Sequence, residues 1–167
     1  MKSSDILTDL PVKFPIIGSC NGLIASETNN GDGFVIFNPT TKEIRKVPPP
    51  EHIPPGHDNP NLVNNGFGYD PVSDDYKLVI MFPPFGVLEE NGVVVSLTKI
   101  YSLKAGCWGT SSFHETPYFP TFFRTSNDLY WITCSSEDAR LVAFDLTCER
   151  YRDVRCCSAI NAGSTLL

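Results

Sequence analysis

The sequence predicts an all-β chain of about twelve short antiparallel strands, and three observations carry that expectation. Fourteen Pro and twelve Gly are spread along 167 residues, so nearly every window long enough for a helix is cut. The apolar residues fall in short runs rich in Val, Ile, Phe, Tyr and Thr, side chains suited to a pleated, half-buried surface. Three separate stretches also repeat one another in pattern, each with an aromatic residue, a polar turn and a returning bulky residue.

The strands are read in chain order from those runs and from the turn residues between them. Residues 1–10, MKSSDILTDL, hold the one window with room for a short helical turn. Phe14–Ile17 and Cys20–Ser26 come next, and Asn30–Gly33, NGDG, is the strongest turn signal in the chain, leading into Phe34–Phe37. Glu43–Val47 returns after NPTTK. A Pro-rich stretch from 48 to 65 cannot continue a sheet. Gly66–Tyr69 and Tyr76–Phe82 flank a turn in which Asp70 precedes Pro71, and residues 83–92 interrupt the pattern again. Val93–Leu103, Cys107–Phe113, Thr121–Arg124, Leu129–Cys134, Leu141–Phe144 and Arg150–Val154 complete the set.

The repeat aligns FNPTTKEIRKV from Phe37, YSLKAGCWGTS from Tyr101 and FDLTCERYRDV from Phe144 without gaps. In each, an aromatic residue closes a strand, a turn of about four residues follows, and a large apolar side chain returns seven positions on, at Ile44, Trp108 and Tyr151. The aromatic anchors are 64 and then 43 residues apart, the excess in the first interval being the two Pro- and Gly-rich stretches. Four strands in a unit of that length are a propeller blade, so the expected architecture is a partial β-propeller of about three four-stranded antiparallel blades.

Composition limits the function. With 41% apolar residues and 19% charged, the chain is that of a folded domain, and its net charge of −6 leaves no basic surface for nucleic acid or anionic membrane. The N-terminus carries Asp5, Asp9 and Pro11 where a signal peptide needs an apolar core, so a soluble protein of the cytoplasm or nucleus is expected. Six Cys include no C-x-x-C pair and lie away from His52, His57 and His114, so no zinc site is expected. Cys20, Cys107, Cys134 and Cys148 sit in or beside apolar runs and read as buried thiols rather than as disulfides.

Catalytic readings fail on spacing. Asp70, Asp74 and Asp75 in DPVSDDYKLVIM lack the central Gly and the twelfth-position Glu of a calcium loop, so they read as a hairpin turn, with Asp70 bonding the turn's own backbone and Pro71–Asp75 as an exposed tip. No G-x-S-x-G elbow is present, and Gly66-Phe67-Gly68 opens a strand, not the helix a phosphate loop requires. Those glycines suit close strand packing near a propeller axis. Trp108, Tyr130 and Trp131 read as packing between blades in preference to a ligand platform. No catalytic, cofactor or metal residues are assigned.

The ordered motifs GSCNGLIA, FNPTTKEIRKVPPP, GFGYDPVSDDYKLV, IYSLKAGCW, LYWIT and LVAFDLTCERYRDV closely resemble the F-box-associated, kelch-type domain of plant F-box proteins, from about Gly18 to Val154. That resemblance implies a propeller that captures a target protein for ubiquitination, while a separate N-terminal F-box docks to the linker subunit of a cullin-RING ligase. The expected division is a leader over 1–13 without an F-box, a partial propeller-like domain over 14–155 and a tail over 156–167. Partner contacts are expected in the long loops, at His52, His57, Asn59, Phe85, Glu89 and Glu90. The alternatives are a truncated family member without function, since three blades leave sheet edges uncovered, and a kelch-like propeller enzyme.

Overall fold

Twelve strands form in the computed structural model, which describes residues 16–28, 33–51, 53, 64–82, 96–113, 121–124, 128–134 and 139–154. They are β1 (Ile16–Cys20), β2 (Leu23–Glu27), β3 (Phe34–Phe37), β4 (Ile44–Val47), β5 (Asn64–Asp70), β6 (Asp75–Phe82), β7 (Ser96–Ser102), β8 (Cys107–Phe113), β9 (Thr121–Arg124), β10 (Asp128–Cys134), β11 (Ala139–Asp145) and β12 (Arg150–Val154). Three antiparallel sheets of four strands take them in strict chain order, β1 to β4, β5 to β8 and β9 to β12. Each is an uninterrupted meander, and together they are three blades of a β-propeller.

Every predicted strand has its counterpart, with shifts at the ends. Asn21 and Gly22, read as part of a strand, instead make the two-residue turn between β1 and β2, at φ 46° and 82°. Two successive positive φ angles match the right-handed twist of the flanking strands, which is why Asn-Gly closes hairpins. β5 begins earlier than predicted, at Asn64. The NGDG turn lies largely outside the described residues, yet Thr28 closes it by donating its amide and its hydroxyl to the Gly33 carbonyl at 3.0 and 3.1 Å.

The repeat is a repeated turn chemistry. Asn38 Oδ1 accepts from the Thr40 and Thr41 amides at 2.9 and 3.2 Å, Ser102 Oγ from the Ala105 amide at 2.9 Å, and Asp145 Oδ1 from the Thr147 and Cys148 amides at 2.8 and 2.9 Å. In each, the fifth turn residue takes a left-handed conformation: Lys42 (φ 64°), Gly106 (φ 71°) and Glu149 (φ 55°). The turn from Asp70 follows the same plan, Asp70 Oδ1 accepting from the Val72 amide at 3.0 Å and Asp74 standing at φ 53°. A short acceptor side chain at the first position supplies the turn bond that the backbone would otherwise lack.

Two cores lie at the seams between blades. Between the first and second pack Ile17, Cys20, Ala25, Phe34, Ile36 and Val47 with Phe67, Leu78, Ile80, Phe82 and Tyr101; Trp108 meets Phe34 and Tyr101 edge-on and donates from Nε1 to the Pro48 carbonyl at 2.9 Å. The second seam joins Val79, Met81 and Ile100 to Leu129, Trp131, Val142, Phe144 and Leu146, with Tyr151 against them. Trp108 and Trp131 therefore pack as expected. Tyr130 lies on the opposite face of β10, where its hydroxyl donates to Asp128 at 3.1 Å.

Glycine sets how closely the inner strands approach. A Cβ on Gly68 would stand 2.5 Å from Leu146 Cδ1, so its absence lets the third blade close on β5. Gly18 likewise faces Phe67 across the first seam. The thiols divide: Cys20 is buried as expected, but Cys107 and Cys148 are exposed, because the turn that ends each outer hairpin carries them to the molecule's margin.

Candidate functional site

A meander alternates its connections between two ends, and the ends of these blades differ in kind. One end holds the short turns at 21–22, 38–43, 71–74, 103–106 and 146–149. At the other, the strands are joined through 28–33, 48–63, 83–95, 114–120 and 135–138. Like ends lie together across the seams: Asp70 meets Thr147, the Arg45 guanidinium lies against Gly106, and Asn65 meets Glu27. The blades are thus aligned, with the tight turns on one face and, on the other, connections that include the two longest, 48–63 and 83–95.

The tight-turn face is locked by a polar cluster built around buried Lys77 and Asp70. Lys77, on β6, reaches Asp70 Oδ2 at 3.2 Å, Glu149 Oε1 at 2.9 Å and the Leu146 carbonyl at 2.5 Å. Asp70 also accepts from Ser73 Oγ at 2.6 Å and Thr147 Oγ1 at 2.7 Å. Burial alone would push the Asp70 carboxyl up, but bonds from Ser73, Thr147 and Val72, with Lys77 beside them, outweigh it and hold that carboxyl well below the usual range. Burial also works against the Lys77 charge, and Glu149 followed by Asp70 more than restores it. A lysine so engaged is neither a base nor a nucleophile at neutral pH; it joins blades.

Asp70 thus bonds its own turn, as expected, and has a second role outside it. Asp75 departs from the expectation of an exposed tip, since it is buried and accepts from Ser102 Oγ and from the Lys104 amide at 2.8 Å. The neighbouring β7–β8 turn stands over it. Pro71, Val72, Ser73 and Asp74 are exposed. Among the described residues, no three His, Cys, Asp or Glu side chains converge as a metal site requires.

At the root of the long-connection face, Asn65 Nδ2 donates to Glu27 Oε1 at 2.8 Å across the first seam. Burial pushes the Glu27 carboxyl up, and the Asn65 bond offsets part of that rise. His52, His57, Asn59, Phe85, Glu89 and Glu90 all lie outside the described residues. The strands flanking their two segments, β4 with β5 and β6 with β7, open at this same face. Lys77, Thr147, Glu149, Glu27 and Asn65 were not singled out from sequence, although a lysine alternating inward within a buried strand, as in DYKLVIMF, was a usable signal.

Residues 2–165 match the F-box associated beta propeller domain. The chain belongs to that family. Among curated relatives of this F-box associated domain, F-box protein CPR1 of Arabidopsis thaliana is 32% identical over 170 residues, covering 89% of this chain and 41% of its own length. An F-box/kelch-repeat protein of the same plant is 26% identical over 147 residues, covering 84% of this chain and 38% of its own. The chain therefore spans about two fifths of these relatives. No solved structure matches the domain. Among the described residues no helix is long and apolar enough to cross a membrane.

Proposed function

We propose that this F-box associated domain is a protein-interaction module that recognises a target for a cullin-RING ubiquitin ligase and performs no chemistry itself. The family match across residues 2–165, with relatives named as F-box proteins, carries the reading. In it, the long-connection face receives the target, and His52, His57, Asn59, Phe85, Glu89 and Glu90 make the contacts. The tight turns and seams fix the strands from which those connections leave. The ligase linker subunit is met through an F-box, and the work is done in the cytoplasm or nucleus.

The test joins the chain to an F-box and expresses it in plant cells beside a variant with those six residues changed to Ser. A protein that binds the first directly, gains ubiquitin and recovers when the proteasome is inhibited is the expected result, with all three effects lost in the variant. Identical ubiquitination and abundance profiles for the two would overturn the reading.

A further inference from the structure

The three outer edge strands are guarded unequally. β4 carries Arg45 and Lys46, and β12 carries Arg150 and Arg152, charges that discourage a foreign strand from pairing. β8, Cys-Trp-Gly-Thr-Ser-Ser-Phe, is longer than either and has no charge and no proline. It pairs with β7 in unbroken register from Ser102↔Cys107 to Ser96↔Phe113, and among the described residues its backbone bonds to no other strand. Every second residue of such an edge turns its N–H and C=O outward.

Unoccupied among the described residues, the edge is also held in place. Trp108 fastens one face of β8 to the first blade through Pro48, and Ser111 Oγ fastens the other to the third through the Glu149 carbonyl at 3.2 Å. Cys107, Gly109 and Thr110 are exposed, and Gly109 has no side chain to keep a neighbouring backbone away.

Among the described residues, the charges beside the edge that lack an ionic partner are cationic. Lys99 Nζ bonds Thr110 Oγ1 at 2.9 Å, and the Arg45 guanidinium lies against Gly106, where β8 begins. Among the described residues neither cation has a carboxylate partner, while Glu149, near Ser111, has its carboxylate taken by Lys77. A second copy of this chain would bring its own Lys99 and a further net charge of −6, so self-pairing is electrostatically opposed.

We propose that the open edge of β8 takes an extended, acidic segment of a partner protein as a fifth strand of the second blade. This rests on the reading of the domain as a target-recognition module, and gives it a contact outside the long-connection face. Main-chain bonds to β8 supply affinity, and Lys99 and Arg45 select for acid side chains.

The probe is a synthetic acidic strand peptide of alternating Glu and Val or Thr, added to the folded chain while amide hydrogen exchange and peptide affinity are followed. Slowed exchange over 107–113 is expected, with affinity falling as salt rises. Peptide N-methylated at alternate residues should bind about ten-fold more weakly or worse, the loss of two or three main-chain bonds, without any change to the protein. Thr110→Glu should weaken binding by a similar factor while leaving unfolding unchanged. No protection of β8, or binding indifferent to N-methylation, would overturn the proposal. So would concentration-dependent protection of β8 without peptide, which assigns the edge to a second copy. Because the assay involves no ubiquitin or F-box, it can fail while the ligase reading stands, and the reverse.

Discussion

Thr147 donates its hydroxyl to Asp70 across the second seam at 2.7 Å, joining the turn of an outer hairpin in one blade to that of an inner hairpin in the next. The same carboxylate closes its own turn through Val72 and Ser73 and neutralises Lys77. One side chain therefore shapes a turn and fixes an inter-blade angle.

Asp70→Ala should be among the most damaging single substitutions, costing about 3–5 kcal/mol, because it leaves the buried Lys77 ammonium with Glu149 as its one carboxylate and frees the Val72 amide and the Ser73 hydroxyl of the turn. Thr147→Val removes a single bond to a charged acceptor and should cost roughly 1.5–3 kcal/mol. Urea unfolding measures both; an Asp70→Ala cost below that of Thr147→Val would contradict the cluster's arrangement.

Acid should unfold the domain through this cluster. The folded-state carboxyl of Asp70 is depressed, so its contribution is complete above the unfolded value of about 3.9 and is lost as pH falls below it toward the folded value. Asp145 adds in the same direction, since the Cys148 amide, against burial and with Thr147, holds its carboxyl low. Glu27 is shifted the opposite way and opposes the trend. Stability measured between pH 5 and 2, roughly the window of that linkage, should fall less steeply in Asp70→Asn than in the parent.

Gly68→Ala places a methyl 2.5 Å from Leu146 Cδ1 in a seam where Leu146 is fully buried, and overpacking of that kind costs about 1–3 kcal/mol. Leu146→Ala makes room for it. The double variant should then be more stable than the two separate losses imply, by about 0.5–3 kcal/mol of coupling in a double-mutant cycle. Additive losses would show that the third blade moves away instead.

Gly33→Ala meets backbone, not a flexible side chain. Its Cβ would stand 2.4 Å from the Val47 carbonyl oxygen, at a φ of 138° that L residues rarely adopt. A loss greater than that of Gly68→Ala is expected in the same unfolding assay, with the first blade's amides exchanging fastest.

Local signals were legible in the sequence, and long-range ones were not. The turns at Asn38, Asp70, Ser102 and Asp145 were readable because acceptor and amide lie within three residues, and the aromatic repeat at Tyr101 and Phe144 placed the packing of their blades. The partners of Asp70, Asp75 and Asn65 come from other hairpins, and nothing in the local pattern names them. Trp131 and its neighbour Tyr130 face opposite ways, so only Trp131 reaches the second seam. Cys107 and Cys148 were misplaced because an apolar neighbourhood in sequence says nothing of proximity to a turn.

Because each blade is one continuous stretch of chain, the ribosome delivers them in turn. The second blade can assemble from its own residues, yet its Lys77 and Asp70 must wait in water for Glu149 and Thr147, which are 72 and 77 residues downstream. Until those residues emerge, the charged groups of the second seam keep the nascent surface hydrated, and their burial marks the arrival of the next blade.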